Sequence, residues 1–307
     1  MIVESPPSSL LHLIGNTPLL RIGGFEDTIA PDAEIYAKAE CQNPGGSVKD
    51  RAAARMIADG VRAGELQPGG TLLDATSGNT GIAYAMLGAA LGYRVRLCVP
   101  ANVTTERLRM LRAYGADVIL TDAMDGSDGA ILEARRLHQA DPSLFYPDQY
   151  NNPANWRAHY ETTALEIWRQ TEGRVTHFVA GLGTSGTFVG TARRLRELNP
   201  RIRTCSVQPD SPLHAIEGLK HMASSIVPGI YDETVSDEQL RVSSEEAQAM
   251  TRRLAKQHGL LAGVSSGAAL TAALRVATSA PGAVVVTVFP DGGTRYLSEH
   301  FWDGDPA

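Results

Sequence analysis

The chain has 307 residues, 43% of them hydrophobic and 20% charged, which excludes disordered and fibrous classes and gives enough length for two ordinary domains. Its formal charge of −6 comes with no basic run longer than a pair or triplet, so nucleic acid is excluded as a partner, and no apolar run is long enough for a membrane span. Glu4 stands where a signal peptide needs positive charge, so the expected location is the cytoplasm.

In chain order, the first distinctive stretch is NPGGSVKDR, Asn43 to Arg51, in which Lys49 follows a proline-glycine-glycine turn and precedes an aspartate-arginine pair that opens a helix. A phosphate-binding P-loop needs glycine immediately before its lysine and a hydroxyl immediately after; Val48 and Asp50 exclude that motif. From residue 71 the pattern alternates: strand (71–76), helix (81–92), strand (94–100), helix (104–115), strand (117–120). Gly92 and Gly115 are placed to cap the helix ends, and Thr104 or Thr105 to cap a helix start. This βαβαβ order predicts a parallel sheet with crossover helices.

A helix over 126–140 stops at Asp141-Pro142, and another runs from the NNPANW stretch toward Gln170. Alternation resumes with the strand 177–180, a glycine-rich loop, the helix 186–198 and the strand 202–207. Ser243 and Glu246 form a capping box for a helix ending near Gly259, followed by the loop GVSSGA, a further helix and the apolar strand 283–289. The fold class expected is α/β, built as two doubly wound α/β domains. The segment 208–229 shows no clear periodicity, and loops of that length in a compact chain are usually functional.

Three loops carry candidate chemistry. GLGTSGT follows a strand and opens a helix, so its N–H groups converge on an anion, most simply a phosphate; Gly181, Gly183 and Gly186 with Asp210 also fit a dinucleotide fingerprint. TSGNTG, Thr76 to Gly81, sits at another strand-to-helix junction, where backbone N–H groups and the Asn79 amide can receive a carboxylate; ordinary turn chemistry fits it too. GVSSGA offers Ser265 and Ser266 at a third helix start, where N-capping is the ordinary role. One phosphate loop, one carboxylate loop and one lysine amid glycines suggest pyridoxal 5′-phosphate held by Lys49 as a Schiff base, with an amino acid as substrate. Cys41, Cys98 and Cys205 lack CxxC spacing and the eight histidines lack HxH and HExxH, so neither disulfides nor a metal are expected.

The chain resembles the cysteine synthase family of fold-type II pyridoxal-phosphate enzymes. IGNTPLLRI, NPGGSVKDR, TSGNTGIAYA, NPANWRAHYETTALEIW, GLGTSGT, GVSSGA and RYLS all occur in the family's order and span nearly the whole chain. The resemblance implies that Lys49 binds the cofactor and that Gly183, Thr184, Ser185, Gly186 and Thr187 hold its phosphate, with Ser185 where the family often has glycine. It implies that Asn79 bonds the 3′ oxygen of the pyridine and that Ser265 faces the pyridine nitrogen. It also implies that Thr76, Ser77, Gly78, Thr80 and Gln149 receive the substrate carboxylate.

The implied reaction is β-replacement through an α-aminoacrylate, forming L-cysteine from O-acetyl-L-serine or O-phospho-L-serine and sulfide or another sulfur donor. Residues 211–228 resemble the B-type branch of the family, and Lys220 and His221 are candidates for contacting the leaving group, against an exposed surface charge. The family further implies a homodimer, a large domain of residues 1–42 plus 153–307, and a smaller mobile domain of 43–152, with the cofactor between them. Cystathionine β-synthase and serine or threonine dehydratase activities remain alternatives on the same fold, and an NAD-dependent oxidoreductase is the alternative of another class.

Overall fold

The computed structural model describes residues 10–76 and 78–304; Glu4 and Ser77 lie outside them. In chain order the elements are β1 (Leu19–Arg21), β2 (Glu34–Ala39), α1 (Lys49–Arg62), β3 (Thr71–Ala75), α2 (Asn79–Leu91), β4 (Arg94–Pro100), α3 (Thr105–Ala113), β5 (Asp117–Thr121) and α4 (Gly126–Ala140). They continue with α5 (Pro153–Glu161), α6 (Thr163–Gln170), β6 (His177–Gly181), α7 (Gly186–Leu198), β7 (Arg203–Pro209), β8 (Glu238–Val242), α8 (Ser244–His258), α9 (Val264–Thr278) and β9 (Val284–Phe289).

Two sheets organise these elements. One has the order β3-β4-β5 and is parallel throughout; the other has the order β1-β2-β9-β6-β7-β8, parallel except for the antiparallel edge strand β1. A parallel sheet needs crossover helices on its faces, which is why the central strand β9 reads as a nearly continuous apolar run. The six-stranded sheet is covered on one side by α8 and α9, with Val179, Val207, Leu254, Leu270 and Val285 in one apolar cluster. Its other side packs Phe178, Phe188, Val189, Leu195 and Val286. The three-stranded sheet has its own clusters, around Leu72, Ile82, Leu87 and Leu97 on one face and Leu73, Cys98, Ile131 and Ala134 on the other.

Most sequence expectations hold, and α4 and α7 have the expected bounds. The capping box of Ser243 and Glu246 is formed, and Gly92 and Gly115 have φ of +77° and +80°, the left-handed geometry that closes a helix. Three expectations need correction. The single helix expected to run toward Gln170 starts at Pro153 and breaks at Thr162 into α5 and α6, where Arg51 donates to Thr162 Oγ1 (3.0 Å) and the hydroxyl donates back to the Ala158 carbonyl (2.6 Å). Thr104 occupies the N-cap of α3 without capping it; its hydroxyl donates to the Arg295 carbonyl (3.2 Å). GVSSGA is less a loop than the first turn of α9, capped by Gly263, so Ser265 and Ser266 are not N-caps.

Among the described residues no helix is long and apolar enough to cross a membrane, and no cluster of histidine, cysteine and acidic residues could hold a metal. Cys98 and Cys205 are buried free thiols, both pushed up to about 12 by burial; Cys41 is half-buried.

Candidate active site

The loops singled out in the sequence converge. β3 runs into Thr76 and β6 into Gly183, so the carboxyl ends of strands from both sheets face one cavity of about 460 Å³. Lys49, Thr76, Asn79, Thr80, Gln149, Gly183, Thr184 and Lys220 all line it. A narrower cleft of about 30 Å³, lined in part by Lys49, Asn79, Thr184, Ser185, Thr187 and Ser265, lies beside it.

Lys49 is the first residue of α1. The turn before it is fastened from three sides: Asp50 Oδ2 accepts from the Gly45 N–H, Arg295 donates to the Gly45 carbonyl, and Ser47 bridges to Asp291. Gly46 has φ of +76°, and a side chain there would run into the Arg295 guanidinium. Enclosure by protein holds the Lys49 ammonium below the ordinary lysine value, with the Asp291 carboxylate acting in the opposite direction. A lysine whose proton affinity is lowered is better suited to act as a nucleophile or a base.

The loop before α7 fits a phosphate. Gly183 packs so closely on the Gly218 carbonyl that an added Cβ would lie 2.2 Å from it. Ser185 takes a left-handed φ of +72° and its buried hydroxyl has no partner. A buried, unpartnered hydroxyl at the N-terminus of a helix is a donor awaiting an acceptor, and the helix end favours an anion. Neighbouring hydroxyls are held in place: Asn155 Nδ2 donates to Thr184 Oγ1 (3.0 Å), and Thr187 Oγ1 meets His159 Nε2 (3.3 Å). Burial lowers His159 to about 3, so that imidazole is neutral and adds no charge to the loop.

At the opposite wall, Thr76 Oγ1 accepts from the N–H groups of Gly78 and Gly81 (3.0 Å each), which leaves its own proton free to donate into the cavity. Thr80 donates to Gln149 Oε1 (2.8 Å), and Gln149 Nε2 donates to the Ala75 carbonyl. The Gln149 amide therefore keeps one unspent N–H, and the first turn of α2 presents further N–H groups. That donor-rich wall suits a carboxylate. Behind it, burial pushes the Asp74 carboxyl up to about 7, although Ala75, Tyr84 and Gln149 all donate to it.

Ser265 lies in the first turn of α9, buried, on the same cleft as Lys49 and the phosphate loop. Lys220 is buried rather than a surface charge: it donates to Asp128 Oδ1 (2.8 Å) and Ser127 Oγ (3.1 Å), and lies 5.3 Å from the Tyr150 ring centroid. An ammonium has three donors, so one is left for a ligand. His221 instead meets Ser224 Oγ (2.8 Å), while His214 from the same segment lines the cavity. The 211–228 segment forms one short 3-10 helix, Met222–Ser224, and serves as cavity wall through Pro212, His214, Glu217 and Lys220.

Sequence reasoning missed Arg107, Asp291, Arg295 and Tyr296. Arg107 is buried, pairs with Glu217 and lies 4.7 Å from the Tyr296 ring centroid. Tyr296 donates to Asp291 Oδ2 (2.7 Å). The available signal was RYLS, matched as a family motif without a role for its arginine.

A family model described as pyridoxal-phosphate dependent enzyme matches residues 10–291. A cysteine synthase of Aquifex aeolicus is 53% identical over 296 residues, covering 94% of this chain and 90% of that protein. Cysteine synthase B of Salmonella typhimurium is 44% identical over 305 residues, covering 97% and 99%. Among solved structures, an O-acetylserine dependent cystathionine β-synthase from Helicobacter pylori superposes with a TM-score of 0.91 at 39% identity, over 96% of this chain and 98% of that one.

Proposed function

Because the chain belongs to the pyridoxal-phosphate dependent enzymes, we propose that it forms L-cysteine by β-replacement on an O-acylated or O-phosphorylated L-serine, with sulfide or another sulfur donor, in the cytoplasm. The observation that carries this reading is the placement of Lys49 between a phosphate-fitting loop and a carboxylate-fitting wall in one cavity. When bound, pyridoxal phosphate supplies the electron sink that makes an α-proton removable.

The residues divide that work. Lys49 Nζ would hold the cofactor and, as a free amine, would take the α-proton; its depressed proton affinity suits both tasks. Gly183 to Thr187 would hold the phosphate, Asn79 would donate to the ring oxygen, and Ser265 would meet the ring nitrogen with a neutral hydroxyl. Such a partner does not hold that nitrogen protonated as an aspartate would, which favours β-replacement over transamination. Thr76, Gly78, Gln149 and the first N–H groups of α2 receive the substrate carboxylate, and the remaining donor of Lys220 meets the leaving group.

Residues 43–152 act as the smaller, mobile unit, and 1–42 with 153–307 as the larger. The pairs Lys220 with Asp128 and Arg107 with Glu217 support this, because each joins a helix of the three-stranded sheet to the 211–228 segment across the cavity. Closure would exclude water from the reacting carbon. Unchanged solution dimensions on adding substrate would count against it. The enzyme is a homodimer in the same reading, supported by an apolar cavity of about 530 Å³ lined in part by Ile14, Ile57, Val61, Leu91 and Tyr93, and tested by sedimentation.

The deciding experiment is the visible spectrum of the purified protein, alone and then with O-acetylserine or O-phosphoserine before any sulfide is added. A cofactor band that changes with one of them, followed by cysteine on adding sulfide, identifies the substrate and the reaction together. Ketoacid release without a sulfur donor would make it a dehydratase, and turnover with homocysteine in preference to sulfide would make it a cystathionine β-synthase, the reading that the Helicobacter pylori structure favours. The family match leaves the nicotinamide reading without support; a colourless protein after incubation with pyridoxal phosphate would revive it.

A further inference from the structure

We propose that Asp291 and Arg295 are positioning residues that lock the Asn79 amide in one orientation, making it an obligate hydrogen-bond donor to the cofactor's ring oxygen. The proposal rests on the reading of Asn79 as the residue that meets that oxygen.

An amide is ambiguous by itself, since rotation by a half-turn exchanges its acceptor for its donors. Here its two ends meet partners of opposite kind. Asn79 Nδ2 donates to Asp291 Oδ2 (2.7 Å), and Arg295 donates to Asn79 Oδ1. A carboxylate only accepts and a guanidinium only donates, so the reversed amide would set oxygen against oxygen and N–H against N–H. One N–H of Asn79 is left over, and Asn79 lines both the main cavity and the cleft beside Lys49 and Ser265.

The clamp is itself braced. Asp291 is fully buried, and its Oδ2 accepts a second bond from Tyr296. Its backbone bridges to Ser47 and its carbonyl accepts from the Gly263 N–H, which ties it to the turn before Lys49 and to the start of α9. Arg295 is also buried and spends another N–H on the Gly45 carbonyl. Its fork therefore links the lysine turn to the amide that faces the same cleft. An obligate donor favours the ring oxygen as an anion, because a hydrogen bond to the charged form stabilises it.

The test is the ratio of the long-wavelength to the short-wavelength absorption band of the bound cofactor, which reports whether that oxygen is anionic or protonated. Each spectrum is normalised to cofactor released by alkali. Asn79→Ala should lower the ratio about tenfold, the effect of losing one hydrogen bond to a charged group. Asp291→Asn and Arg295→Lys should each lower it in the same direction, since the first frees the amide to turn and the second removes the fork. Tyr296→Phe, which loses a bond to the same Oδ2 but leaves the amide held, should keep the ratio within about twofold.

Loss of packing alone would alter melting temperature in all of these variants without separating Tyr296→Phe from the rest. A shift with Asn79→Ala and none with Asp291→Asn or Arg295→Lys would overturn the clamp and leave the Asn79 reading standing. No shift with Asn79→Ala would remove that reading and the clamp with it. If Asp291→Asn does not accumulate as folded protein, Arg295→Lys decides from the other end of the amide.

Discussion

Two polar clusters flank the start of α1, and they are built on opposite plans. On one side, Lys38, Glu40, Arg51 and Glu166 form a buried set of two cations and two anions. Arg51 donates to Glu40 (2.7 Å) and Glu166 (2.7 Å), Lys38 pairs with Glu166 (2.6 Å), and Thr17 and Asn43 donate to Glu40. Burial alone would raise the Glu166 carboxyl, yet Arg51 and Lys38 override it and hold it down at about 2. On the cavity side, Ser185 Oγ, Asp291 Oδ1 and Arg107 Nε are buried without partners. A closed network is architecture; an open one in a native fold marks where a ligand or a moving part completes it.

The largest separation between the two should come from Lys49→Ala and Arg51→Met. Lys49→Ala is expected to lower turnover a thousandfold or more, about the upper range for a lost acid–base group, and to leave thermal stability unchanged or slightly raised. Wild-type turnover in that variant would end the proposed mechanism. Arg51→Met should do the reverse. It leaves Glu40 and Glu166 in the interior with Lys38 alone, a loss of about 3–5 kcal/mol in urea unfolding, with activity per folded molecule largely retained. Equal stability of Arg51→Met and the parent would show that the closed cluster is not architectural.

A smaller effect is expected from Asp74, which backs the carboxylate wall. Its folded value of about 7 lies above the unfolded 3.8, so folding takes up a proton there. The contribution is fully present below about pH 4, falls as pH rises toward 7, and is flat above, with a swing on the order of a few kcal/mol. Asp74→Asn keeps an acceptor for Tyr84 and should flatten that part of the stability profile. A profile with unaltered slope between pH 4 and 7 would remove Asp74 as its source.

The sequence exposed the cavity far better than the clusters around it. Strand-to-helix glycine loops have local spacing, so TSGNTG and GLGTSGT were legible, as were α4, α7 and the capping box of α8. The partners of those loops come from distant chain positions: Asn79 meets Asp291 across 212 residues and Arg295 across 216, and no periodicity encodes such a pairing. The break at Thr162 is equally tertiary, because Arg51 reaches it from 111 residues away. Strand β2 hides for another reason. Its run EIYAKA carries Lys38, fully buried against Thr17 and Glu166, where hydrophobic patterning expects a solvent-facing residue.

The smallest effect, and the finest test of the contrast between closed and open clusters, concerns Ser185. A non-glycine residue at φ of +72° costs about 1–2 kcal/mol, a strain that glycine would not carry. Ser185→Gly removes that strain but adds about 0.5–1 kcal/mol of backbone entropy to be lost on folding, so the protein without cofactor should change by no more than about 1 kcal/mol. The same change deletes the unpartnered hydroxyl, and one hydrogen bond to a charged phosphate is worth about a tenfold change in affinity. Equilibrium dialysis should therefore find pyridoxal phosphate bound roughly tenfold more weakly while urea unfolding of the cofactor-free protein barely moves. If affinity is unchanged, the hydroxyl does not meet the phosphate, and the left-handed serine is a tolerated strain with no binding role.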